Sequence, residues 1–325
     1  MSQYPEVAVL YPDFNELVAL KDRKLSPTHT STQTATSTVS GSYHSPFRGQ
    51  GLEFDSVRQY VPGDDVRNID WRVTARSGSP HLKLFQEERE RSVILCVDRN
   101  SSMQFGTKNT FKSIQAARAA ALFGWQALSN HDRLGACLFG DVADGVQLFA
   151  PKRTRASLWA MLTALCQPPP SCRKIFLEEA LKQIDKVSPA GSLVVVISDF
   201  MDLANTPEPA QAGSKEDFAS VLDVYLCRLK KRCDVLFVAI NDPADMAFYP
   251  VGTVVFRASS GEEIFVNTDS IAGRDAYAGQ WRENRRRLHA LASQLGIPLI
   301  ALTTESDLPR DLIIALKQIG KRRRR

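Results

Sequence analysis

Two runs of this chain, Val93-Ile94-Leu95-Cys96-Val97 and Leu193-Val194-Val195-Val196-Ile197, are apolar at every position. A strand with one face in water alternates apolar and polar residues. An unbroken run is instead a strand buried on both faces, the habit of parallel sheets covered by helices. Each run leads into a carboxylate, Asp98 directly and Asp199 after Ser198. In open α/β sheets, ligands meet the protein at the carboxyl ends of the strands. The oxygen-rich turn Asp98-Arg99-Asn100-Ser101-Ser102 is therefore the first place to look for a site.

From residue 92 onward, strands alternate with helices. Strands are expected at 93–98, 132–139, 145–149 (pairing with its predecessor), 192–198, 234–240 and 297–302, with a hairpin near 252–266. Helices are expected at 110–129, 155–166, 175–187, 216–231, 274–295 and 309–319; in the first, Ile114, Ala117, Ala121, Leu122, Trp125 and Leu128 face inward. This is an α/β chain with a mostly parallel sheet and helices on both faces. Ahead of it, residues 13–24 predict a short helix capped by Asp13, and Ser26–Tyr43, in which 11 of 18 residues are Ser or Thr, reads as a linker. Residues 51–91 are dense in charges and turns, with a tight turn at Val61-Pro62-Gly63-Asp64-Asp65 and a strand at 81–86. The expected organisation is an N-terminal segment (1–44), a β-rich extension (45–91), the α/β domain (92–320) and a solvated basic tail (321–325).

Charge and cysteines exclude several classes. The net charge of +5 resides in Lys321-Arg322-Arg323-Arg324-Arg325; setting those five aside from the 41 lysines and arginines leaves a match for the 36 acidic residues. A neutral body speaks against a nucleic-acid groove. None of the six cysteines forms a C-x-x-C pair, as expected of free thiols in a reducing compartment. There is no stretch of 18 apolar residues and no signal-peptide pattern at the start, which points to a cytoplasmic protein without membrane insertion. No P-loop or G-x-S-x-G elbow occurs, and the five histidines have no ligand-like spacing.

If the two buried strands are neighbours, Asp98, Asn100, Ser102 and Asp199 present two carboxylates, an amide oxygen and a hydroxyl. These are hard donors suited to Mg²⁺ or Mn²⁺. The plainer alternative is that Asp98 and Ser102 cap the following helix. A metal-dependent hydrolase using Asp98 and Asp199 is a second function, although no general base is evident beside them. A nucleic-acid-associated protein acting through the basic tail is a third.

The Asp98–Ser102 spacing resembles the metal-ion-dependent adhesion site of von Willebrand A-like domains, D-x-S-x-S followed by a distant Thr and a distant Asp. Asn100 replaces the first Ser, and the Thr position falls on Ile175, with Ser171 or Thr154 as substitutes from other loops. Further motifs are Gly51-Leu52-Glu53-Phe54, Arg58, Tyr60, Pro62-Gly63-Asp64-Asp65-Val66-Arg67, Ile69-Asp70-Trp71-Arg72 and Thr74-Ala75-Arg76, then Ser198-Asp199-Phe200, Asp242-Pro243-Ala244-Asp245 and Tyr249-Pro250-Val251-Gly252. Together, over about residues 45–318, they look like the signature of the bacterial family catalogued as domain of unknown function 58. The resemblance implies a von Willebrand A-like fold with an N-terminal β-rich extension. It also implies a non-enzymatic adaptor that partners a MoxR-type AAA+ ATPase and a client protein, a partner's carboxylate completing the coordination of the cation. Many relatives carry two N-terminal membrane helices, which this chain lacks. The charges of Glu53, Arg58, Asp64, Asp65, Arg67, Asp70, Arg72 and Arg76 alternate in sign and are expected either to pair in a buried network or, with Trp71, to form a docking face for the ATPase.

Overall fold

The computed structural model describes residues 11–23, 52–62, 64–87, 91–140, 146–167, 176–205, 221–257 and 263–323. The Ser/Thr tract, Ser171 and Ile175 lie outside them. The chain divides into two units, Ser31–Glu90 and the remainder, each described by itself.

The remainder begins with α1 (Phe14–Ala19), where Asp13 accepts a bond from the Glu16 N–H at 3.1 Å as expected of its cap. Leu17 is fully buried in the same core as the later helices, so this segment belongs to the larger unit. In the smaller unit, β1 (Leu52–Gln59) and β2 (His81–Glu87) pair antiparallel, with Arg58 opposite Leu82. Between them lies α2 (Trp71–Ser77). The extension thus holds the paired strands and, in addition, a short helix. Asp70 caps α2 by accepting from the Arg72 and Val73 N–H groups, and Gly78 ends it in the left-handed region at φ 72°. These end signals outweigh a helix body without an apolar stripe.

The larger unit continues through β3 (Ser92–Arg99), α3 (Lys112–Ser129), β4 (Arg133–Gly140), β5 (Gln147–Lys152), α4 (Arg155–Cys166), α5 (Leu177–Val187), β6 (Leu193–Ser198), α6 (Val221–Arg232) and β7 (Asp234–Asn241). After a single turn, α7 (Pro243–Met246), come the hairpin strands β8 (Thr253–Arg257) and β9 (Glu263–Asn267), then α8 (Ile271–Gln294), β10 (Leu299–Thr303) and α9 (Leu308–Arg323). The helix α9 runs as far as Arg323, into the basic tail. Leu308, Leu312 and Leu316 anchor this helix in the core. Among the described residues, no helix is long and apolar enough to cross a membrane.

Six strands form one sheet in the order β10-β7-β6-β3-β4-β5. The first five are parallel and β5 closes one edge antiparallel to β4, as the sequence predicts for that pair. This is the expected mostly parallel α/β sheet with helices on both faces. Strand residues alternate between two cores. Val93, Leu95 and Val97 pack with α3, α4 and α9; Ile94 and Cys96 pack with α5, α6 and α8. Both faces are dry, which is why the runs are apolar at every position. Each buried Val, Leu or Ile contributes about 1.5–3 kcal/mol.

The two runs are adjacent strands in register, with Cys96 opposite Val196 and Val97 opposite Ile197. Asp98 and Asp199 thus emerge side by side at the carboxyl edge of the sheet.

Candidate functional site

At the end of β3, Asp98 is buried and its carboxylate is fully engaged. One oxygen accepts from the Ser198 hydroxyl at 2.6 Å; the other accepts from the Asn100 N–H at 2.9 Å and the Asn100 side-chain amide at 2.8 Å. Burial foremost, and then the neighbouring Asp199 charge, push the Asp98 carboxyl up to about 8, against the pull of those hydrogen bonds. Gly140, at the end of β4, makes this turn possible. Its φ of 134° suits glycine, and a Cβ there would lie 2.5 Å from the Arg99 carbonyl carbon and the Asn100 nitrogen.

One strand over, the Asp199 carboxylate accepts from the Met201 N–H at 3.1 Å and from the Ser102 hydroxyl. The next residue, Phe200, holds a left-handed φ of 55°, unusual for a bulky side chain. It is fixed there by its N–H on Ser198 Oγ at 2.8 Å and its ring against Phe237, centroids 5.0 Å apart.

The partner that organises the site is Lys112, in the first turn of α3 and only 1% exposed. Its Nζ donates to Asp199 Oδ2 at 2.9 Å and to Asp245 at 3.0 and 3.3 Å, and lies 5.6 Å from the centre of the Phe105 ring. Burial works against the ammonium, but the two carboxylates outweigh it and hold Lys112 above the ordinary lysine range. Asp199 is held below the usual carboxylate range: burial opposes this, and the lysine prevails. Asp245 stays above it, because there burial outweighs the lysine.

Asp245 is supplied by Asp242-Pro243-Ala244-Asp245, which folds as a capping box. Asp242 accepts from the Ala244 N–H and Asp245 accepts back from the Asp242 N–H at 2.8 Å. Asp242 also gathers the Thr107 N–H, the Thr107 hydroxyl and the Thr304 hydroxyl. The motif thereby ties β7 to the loop after β3 and to β10. From α8, Arg285 donates to the Asp199 backbone oxygen and Asn284 to the Phe200 oxygen.

The four predicted residues, Asp98, Asn100, Ser102 and Asp199, are thus brought together, and sequence reasoning missed Lys112, Ser198 and Asp245 as members of the site. The signal for Lys112 was present: it stands one helical turn before Ala116 and two before Ala119, both fully buried. Thr154 is an exposed residue at the start of α4, bonded to Ser157, and is not part of this constellation.

A Mg²⁺ or Mn²⁺ ion needs several oxygen donors free to converge on one point. Here the donors face one another and Lys112: both Asp98 oxygens are taken, Asn100 turns its amide N–H toward Asp98, and Ser102 serves Asp199. Among the described residues, no three His, Cys, Asp or Glu side chains gather as a metal-binding group. The carboxylate oxygens of Asp98 and Asp199 are thus already engaged with donors of the fold.

In the smaller unit, Arg58 pairs with Asp64 at 2.6 Å, Asp65 accepts from the Arg67 N–H and Asp70 caps α2. The charges expected to form a buried network are instead largely exposed: Arg58, Asp65, Arg67, Arg72 and Arg76 all face solvent, because the aspartates serve their own turns. Trp71 is 71% exposed. Glu53 lies in β1 opposite Gln86, and its side chain is outside the described set.

A family model described as "Protein of unknown function DUF58" matches residues 56–287, well over half of the chain. The uncharacterized proteins Mb1516 of Mycobacterium bovis and Rv1480 of Mycobacterium tuberculosis are each 29% identical over 280 residues, covering 85% of this chain and 81% of theirs. Among solved structures, BatB from Bacteroides thetaiotaomicron aligns with a TM-score of 0.40 at 11% identity, over 71% of this chain and 99% of that one. The SpRpn10 VWA domain aligns at 0.36 and 11%, over 69% and 93%.

Proposed function

The chain belongs to the DUF58 family, and from that premise we propose that it is a non-enzymatic protein-interaction module, a partner or adaptor of a MoxR-type AAA+ ATPase in the assembly or maturation of a client protein. The observation that carries the reading is the state of the strand-end carboxylates. Asp98, Asp199 and Asp242 are buried and committed to hydrogen bonds within the fold. A general base or nucleophile must be able to reach a substrate; these groups instead stiffen the turns around them. What such an edge offers is a rigid surface of fixed shape. Trp71 and the exposed charges of α2 supply a second surface of the kind that aromatic and arginine anchors form at interfaces. Work in the cytoplasm goes with this reading.

The test is to mix the purified chain with a MoxR-type ATPase of the same organism. Co-elution and a changed rate of ATP turnover are expected. Separate elution at micromolar concentrations, with turnover unchanged, would refute the pairing.

A further inference from the structure

We infer that Lys112 is the resident cation of the strand-end carboxylates Asp199 and Asp245: its ammonium supplies the positive charge at this edge of the sheet, and the site operates without metal. Three independent features support this. The Nζ sits within hydrogen-bond distance of carboxylates from two different strand ends, Asp199 after β6 and Asp245 after β7. It is sealed from solvent, so its charge acts on these groups and is not screened by water. The carboxylate oxygens of Asp98 and Asp199 are also met by other protein donors, Asp98 by Ser198 and Asn100, and Asp199 by Ser102 and the Met201 N–H.

Position reinforces the assignment. The Lys112 N–H is bonded to the Phe105 oxygen at 2.9 Å, which fixes the start of α3 over the strand ends. The next inward polar residue, Gln115, donates to the backbone oxygens of Thr303, Thr304 and Ser306, tying the same helix to the end of β10. A fixed lysine needs no loading, and a dication set beside it would meet a like charge. Lys112 holds this place whichever protein docks above it, so the inference stands apart from the identity of the partner.

Mn²⁺ is the probe, followed by its electron paramagnetic resonance signal. The wild-type chain is expected to leave Mn²⁺ free through the millimolar range and to melt at the same temperature in EDTA and in MnCl₂. Uptake of one equivalent by the wild type, abolished in Asp199→Asn, would overturn the assignment. In Lys112→Met the carboxylates lose their counter-charge, and Mn²⁺ affinity is expected to rise by about tenfold or more. A folded Lys112→Met that ignores Mn²⁺ would also overturn it, whereas a variant that folds only when Mn²⁺ is added would support it. If Lys112→Met fails to fold under all conditions, the wild-type titration decides. Loss of ATPase partnering in the mixing experiment would leave these outcomes unchanged.

Discussion

Lys112 and Asp199 lie 87 residues apart in the chain, yet Nζ and Oδ2 meet at 2.9 Å in a site closed to solvent. This ion pair joins the helix after β3 to the loop after β6, and through Asp245 it reaches the loop after β7. Removing one partner of a buried pair leaves the other desolvated and uncompensated. Lys112→Met is therefore expected to lower unfolding free energy by about 3–5 kcal/mol. Asp199→Asn should cost less, because the lysine keeps Asp245. Urea denaturation at neutral pH measures both, and equal effects would show that Asp245 contributes little.

Gly140→Ala probes the approach of β4 to the Asp98 turn. The added Cβ meets backbone rather than a yielding side chain, at a φ where alanine is strained. A loss of about 1–3 kcal/mol is expected, with amide chemical-shift changes concentrated at residues 98–102. A variant as stable as the wild type would mean that the turn can shift.

Asp132 gives a pH signature away from the site. Burial raises its carboxyl to about 6, despite the opposing pull of Arg91, Asn130 and His131. A raised carboxyl binds its proton more tightly in the folded chain, so its contribution is full below the unfolded value of about 3.9 and is lost as pH rises to about 6. Asp132→Asn should match the wild type in acid and exceed it at neutral pH, the gap opening across that window. Urea midpoints at a series of pH values read this directly, and a constant gap would contradict it.

Trp71→Ala separates docking from folding. The side chain is largely in solvent at the start of α2, so stability should change by no more than about 0.5 kcal/mol. Affinity for the ATPase should fall by about tenfold or more if this residue anchors the interface. Isothermal titration checks the second expectation, and an unchanged affinity would move the interface elsewhere.

Much of the fold was legible because its signals are local. Val93–Val97 and Leu193–Ile197 announce a sheet covered on both faces, and the carboxylates that follow them do stand together. The helix α4 falls at its expected bounds. The start of α2 was not anticipated, since its evidence is an Asp70 cap and a Gly78 stop around a charged stretch with little periodicity. Lys112 was missed for a different reason. A lysine at a helix start reads as solvated, and only the folded strand order brings Asp199 and Asp245 to the same point beneath it. Sequence spacing shows which oxygens gather; it does not show that a nitrogen from the adjoining helix has reached them first.

Leu95 and Cys96 are bonded neighbours that share no packing partners, because the sheet sends them to opposite sides. The sheet is in this sense a dividing wall. Substitutions on one side can accumulate and compensate among themselves without being felt on the other, so energetic coupling between successive residues of β3 should be weak while coupling across many residues of sequence is strong. The carboxyl rim, where Ser198 bonds Asp98 and Lys112 joins Asp199 to Asp245, answers to both sides at once. Divergence among relatives should therefore proceed as two separate histories that meet along that rim.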